Sequence, residues 1–156
     1  MKELLYELEQ LYHEKNFIKS EIDRRLTRFF EKAINSIIKN EISELNFLEL
    51  INEITDNSIA KTKILCEFVK YAQVNNTKFH LIEKTLAERY LEEAKKNITF
   101  MNLFELDFMH NLFHKLNDEK KLQEFKMLFT QNIARIENAW KKEDKKSRYF
   151  YEWLFS

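Results

Sequence analysis

Glycine and proline are both missing from this chain of 156 residues, whereas ordinary usage of roughly 7% and 5% would place about ten of each in that length. Without glycine no residue takes a positive φ free of steric cost, so the tight turns that join antiparallel strands are disfavoured. Valine occurs twice and threonine seven times, which removes much of the β-branched stock that strands use. An all-β or doubly wound α/β fold is therefore not expected. Phosphate loops and nucleophile elbows of the GxxxxGK[ST], GxGxxG and GxSxG kinds cannot exist in a glycine-free chain.

Cysteine is scarce too. The single Cys66 excludes an intramolecular disulfide framework and any multi-cysteine zinc module. At the flank of its helix's apolar face it reads as a small half-buried thiol, since no acidic orienter or oxyanion device accompanies it. Long apolar runs are absent as well: the opening "MKELLYELEQLYHEK" has no signal-peptide core and no stretch approaches ~18 apolar residues. The expected compartment is the cytoplasm, with no membrane contact. Net charge is zero, so nothing global draws the chain to nucleic acid. Residues 1–60 nevertheless carry a net −4 and residues 119–156 a net +3.

What the chain does have is lysine (20, against 6 arginines) and Ile, Asn and Phe at 14 each. These residues have AT-rich codons, which points to an AT-rich bacterium or phage as the source. Apolar residues recur at helical spacing from end to end. Leu4, Leu5, Leu8, Leu11 and Tyr12 form a first stripe that Asn16 closes. A second helix over about 17–39 places Ile22, Leu26, Phe29, Phe30, Ala33 and Ile34 on one face. Short and long helices follow at about 46–55, 58–74 and 77–96. Asn46 with Glu49 and Asn102 with Glu105 read as capping boxes, and "NNT" at 75–77 must make the turn that glycine usually makes. Asn117–Asp118 closes a helix beginning near Asn102 and opens the last one. There Leu122, Phe125, Phe129, Ile133, Ile136 and Trp140 form a near-heptad seam, and helices of this kind can pair between copies as a homo-oligomer.

The expected fold is all-α, a single-domain bundle of about seven or eight helices spanning 1–156, with no linker. "NFLEL" (46–50) resembles "NLFEL" (102–106), and Leu65, Glu67 and Phe68 resemble Leu122, Glu124 and Phe125. That pairing is compatible with a helical-repeat-like duplication.

Three constellations carry chemistry. Asp107, His110 and His114 share a polar stripe that Asp118 extends, opposite a face formed by Phe108, Met109, Leu112, Phe113 and Leu116. Two imidazoles four apart can share a metal ion, with a carboxylate as third ligand. Against that, Asn111 follows the first histidine where the zincin pattern needs Glu. A solvated face is the favoured reading, and no cofactor is expected. Arg24, Arg25 and Arg28 form a basic patch on the second helix, interleaved with acids as on a wet, salt-bridged face. No arginine stands five residues before any histidine, so the helical Arg-x4-His ribonuclease signature is missing.

The C-terminal "WKKEDKKSRYFYEWLF" is the richest stretch. Its Trp140, Lys145, Arg148, Tyr149, Phe150, Tyr151, Trp153 and Phe155 include the residue types that concentrate in interface hot spots. One helix cannot readily bury all these aromatics in its own core, so residues 147–156 are the candidate partner-binding tail. The leading expectation is a non-enzymatic protein-interaction module of adaptor, chaperone, immunity or inhibitor type. A nucleic-acid-associated subunit of a ribonucleoprotein is the alternative, and a metal-dependent enzyme using Asp107, His110 and His114 comes third. Deleting residues 147–156 is expected to abolish partner capture while the helical circular dichroism persists. Loss of the helical signal would instead make the tail part of the core.

Overall fold

The computed structural model describes residues 19–54, 56–100 and 103–140. Among them there are seven helices and no strand, as the glycine-free composition predicts. They are α1 (Lys19–Ile38), α2 (Glu44–Ile54), α3 (Ser58–Val74), α4 (His80–Lys96), α5 (Leu103–Lys115), α6 (Glu119–Gln131) and α7 (Ile133–Trp140). Among the described residues no helix is long and apolar enough to cross a membrane. The helix expected at 4–16 and the tail 147–156 lie outside the described residues. Contacts divide the chain into two compact units, residues 1–82 and 83–156, with the division falling inside α4.

In the first unit the buried face of α1 is Phe29, Phe30, Ala33 and Ile34, the spacing of one helical stripe. Phe68 on α3 is the hub. Its ring stacks on Phe47 of α2 at 4.3 Å and on Phe79 at 5.7 Å, and meets Phe30 edge-on at 5.4 Å. Such pairs contribute roughly 0.5–1.5 kcal/mol each beyond the area they bury. Glu44 on α2 accepts the Ile82 N–H at 3.1 Å, tying the start of α4 to α2.

The second unit is organised in the same way around Tyr90 of α4, which is fully buried. Its ring lies 5.6–5.8 Å from those of Phe100, Phe113 and Phe125. Buried positions recur 57 residues apart: Phe29 with Leu86, Ala33 with Tyr90, Ile34 with Leu91, Leu65 with Leu122 and Phe68 with Phe125. The connections before α3 and before α6 both span three residues. The "NFLEL" and "NLFEL" segments stand 56 residues apart, one residue short of that interval.

Helix ends show how the chain manages without glycine. Positive φ occurs at Asn40 (59°), Asn76 (57°) and Asn117 (52°). At the end of α3 the Thr77 N–H bonds to the Ala72 carbonyl at 2.8 Å and the Asn76 N–H to the Gln73 carbonyl at 3.0 Å, a complete Schellman turn. Asn40 repeats it for α1, where Glu41 bonds back to Ser36. Helix starts are capped by Asn57, which accepts from Ala60, and by Asp118, which accepts from Lys121.

Three expectations about boundaries are corrected. The capping box of α2 is Ser43 with Asn46, one turn earlier than Asn46 with Glu49: Ser43 Oγ accepts the Asn46 N–H and Asn46 Oδ1 accepts the Ser43 N–H. Helix α4 starts at His80 rather than 77, because the Schellman turn uses Asn76 and Thr77 and Phe79 is drawn into the core. The last helix is two helices. Asn132 interrupts it, its side-chain amide donating to the Leu128 carbonyl at 2.8 Å while its backbone N–H turns to Phe129. Asparagine competes with the helical ladder in this way.

Replacing Asn76 by alanine should destabilise the fold by about 1 kcal/mol, since alanine carries the full left-handed cost. Replacing it by glycine should leave stability equal or higher. Urea denaturation of both variants checks the pair; equal midpoints for the two would remove the left-handed cap from the account.

Candidate functional site

The histidine helix α5 differs from its sequence reading in one respect. His114, Asn111 and Asp107 are exposed, as expected, but His110 is only 5% exposed. The buried arc runs through Leu106, Met109, His110, Leu112 and Phe113. It is rotated from the expected face of Phe108, Met109, Leu112, Phe113 and Leu116, of which Phe108 and Leu116 are only half-buried. The cause is α6, which packs against α5 and brings the Phe125 ring to 5.8 Å from the His110 ring. The His114 ring stands 4.6 Å from that of His110 at 71°. Among the described residues, no group of three His, Cys, Asp or Glu side chains is placed to hold a metal ion. Asp107, His110 and His114 share a helix side without forming a three-ligand site.

Burial pushes the His110 pKa down to about 4, with the charges of His114 and Lys126 adding to the effect. The imidazole therefore sits in the fold as a neutral ring among aromatics.

Of the predicted basic patch, Arg24 and Arg28 are exposed on α1. Arg25 lies on the same helix, but its side chain is outside the described set. Arg24, Arg28, Glu31, Asn35 and Ile38 follow one another at intervals of four and three, so a single exposed stripe runs along α1. Trp140 ends α7, with its side chain not described. Lys145, Arg148, Tyr149, Phe150, Tyr151, Trp153 and Phe155 all lie outside the described residues.

The lower end of that stripe borders a feature the sequence did not disclose. Between the C-terminal halves of α1 and α3 lies an open cleft of about 460 Å³, lined by Glu31, Ile34, Asn35, Ile38, Tyr71, Asn75 and Thr77. That volume is within the roughly 300–1,000 Å³ range of ligand pockets. Tyr71 closes one wall, its ring packed near Phe30 at 6.0 Å and its hydroxyl donating to Glu31 Oε1 at 2.9 Å. Burial and then the hydrogen-bonded Glu31 carboxylate raise the Tyr71 pKa above its ordinary value. Asn75 donates its side-chain amide to the Tyr71 carbonyl at 2.9 Å, and the Thr77 hydroxyl bonds to the Asn75 carbonyl at 3.3 Å. The Schellman turn thus forms the lip of the cleft. Ile38 remains 60% exposed at its other edge. The only trace of this in the sequence was the pair of helix ends themselves, since the residues come from segments 40 positions apart.

No protein-family model, curated protein or solved structure matches the chain.

Because the folded His110 pKa lies below the ordinary 6.5, the unfolded chain takes up this proton first as pH falls. The stability that goes with neutral His110 is complete above about pH 6.5 and is lost progressively towards pH 4, by up to ~3 kcal/mol. Replacing His110 by leucine should flatten that part of the profile. Urea midpoints at pH 7 and pH 4.5 for both proteins test it; an equal acid loss in the leucine variant would exclude His110 as its source.

Proposed function

We propose that the chain is a non-enzymatic, cytoplasmic protein-interaction module, from an AT-rich bacterial or phage genome, whose first unit receives a segment of a partner protein in the α1–α3 cleft. The supporting observation is the cleft itself. It combines a carboxylate, two side-chain amides and two hydroxyls with the aliphatic walls of Ile34 and Ile38. A peptide needs that mixture: polar groups to fix its register and apolar surface to bury. The exposed stripe of Arg24 and Arg28 continues the same helix face and extends the surface available to a longer partner. The aromatic–basic residues Trp140, Lys145, Arg148, Tyr149, Phe150, Tyr151, Trp153 and Phe155 serve as a second contact in this proposal.

Capture of partner protein by the full-length chain from its host is the test. Ile38→Lys should reduce recovery of the partner more than tenfold. Met127→Lys, at a 58% exposed position in the second unit, should leave recovery unchanged. Both side chains are exposed, so each substitution should alter stability by no more than about 0.5 kcal/mol, which thermal melts verify. Undiminished recovery with Ile38→Lys would remove the cleft as the binding site.

A further inference from the structure

The chemistry of the cleft narrows what its occupant can be. Of its seven lining residues one is acidic and none is basic. Helices α1 and α3 both end beside it, at Ile38 and Val74, so the negative ends of two helix dipoles lie at its margin. Neither helix carries a basic side chain in its last turn to offset that charge.

Resting on the interaction reading above, we propose that the α1–α3 cleft is a receptor for an arginine side chain of the partner polypeptide. The aliphatic stem lies along Ile34 and Ile38, and the guanidinium meets Glu31 and the amide oxygens of Asn35 and Asn75. Glu31 is held in position by the Tyr71 hydroxyl at 2.9 Å, and a carboxylate that has accepted one hydroxyl keeps further lone pairs for a donor fork. Burial, and after it the Glu31 carboxylate, raises the Tyr71 pKa. Arginine fits better than lysine. Its planar head is more weakly hydrated, reaches several acceptors at once and stacks against an aromatic wall, which Tyr71 supplies. An anionic occupant would meet Glu31 and both helix ends with the wrong sign.

The experiment titrates the isotopically labelled full-length chain with the capped tripeptide acetyl-Leu-Arg-Leu-amide, followed by NMR. Its citrulline counterpart, neutral but equal in shape, and agmatine, a free guanidinium, are run beside it. Saturable shifts are expected at the side-chain amides of Asn35 and Asn75 and at Thr77. Binding should weaken at least fivefold for the citrulline peptide, for agmatine, and for the arginine peptide against Glu31→Gln. Citrulline binding equal to arginine, or no loss with Glu31→Gln, overturns the charge recognition. Agmatine binding as tightly as the peptide makes this a small-cation site and overturns the peptide source. If no arginine probe binds while Ile38→Lys still abolishes partner capture, the arginine assignment fails and the interaction module stands. If the peptide binds but capture ignores Ile38→Lys, the receptor chemistry holds and the module's use of the cleft fails.

Discussion

The left-handed turn at Asn76 is the constraint from which much of the first unit follows. A helix can stop abruptly only where one residue reverses its backbone hand, and in a chain without glycine that residue must tolerate a Cβ in the wrong place. Asparagine does so at least cost. At Asn76 it lets Thr77 and its own N–H satisfy the last carbonyls of α3, so the helix ends within one residue. The chain then turns at once into Phe79, which stacks on Phe68. The same turn leaves Asn75 and Thr77 facing the end of α1 across the cleft. Core closure and surface chemistry therefore hang on a single backbone torsion.

Packing around that turn is aromatic rather than aliphatic. Phe68 and Tyr90 each collect rings from neighbouring helices, and the two hubs sit in units whose buried positions repeat. Phenylalanine, abundant in this chain, fills the space that the scarce alanines and valines would leave to many smaller side chains. A large flat ring contacts several helices at once, so few residues per helix suffice to hold each unit together. Where the second unit places His110 against Phe125, an ionisable ring has been drawn into that aromatic packing.

Sequence periodicity revealed the helical class, and it delimited α3 to the residue, because Asn57 and Asn75 flank an uninterrupted apolar pattern. It also marked Asn117 and Asp118 as the end of one helix and the start of the next, which local side-chain chemistry alone decides. Asn132 escaped notice because the seam from Leu122 to Ile136 keeps its spacing across the break. The side-chain bond of Asn132 to Leu128 and its backbone bond to Phe129 show that the helix stops there. His110 escaped because burial depends on which side α6 approaches, a tertiary fact that a helical wheel does not hold. The cleft was invisible for the same reason. Its walls come from two helices that sequence separates, and only their packing brings Glu31 to Tyr71.

The three-residue connections before α3 and α6 have a kinetic consequence. Each joins helices that are neighbours in sequence, so the searches that build each unit close short loops, which costs little entropy and proceeds quickly. The chain has no proline, and peptide bonds that do not precede proline stay trans in the unfolded state. No population of wrong isomers has to wait tens of seconds before folding. A newly made copy of this chain can build each of its two units on the timescale of helix docking.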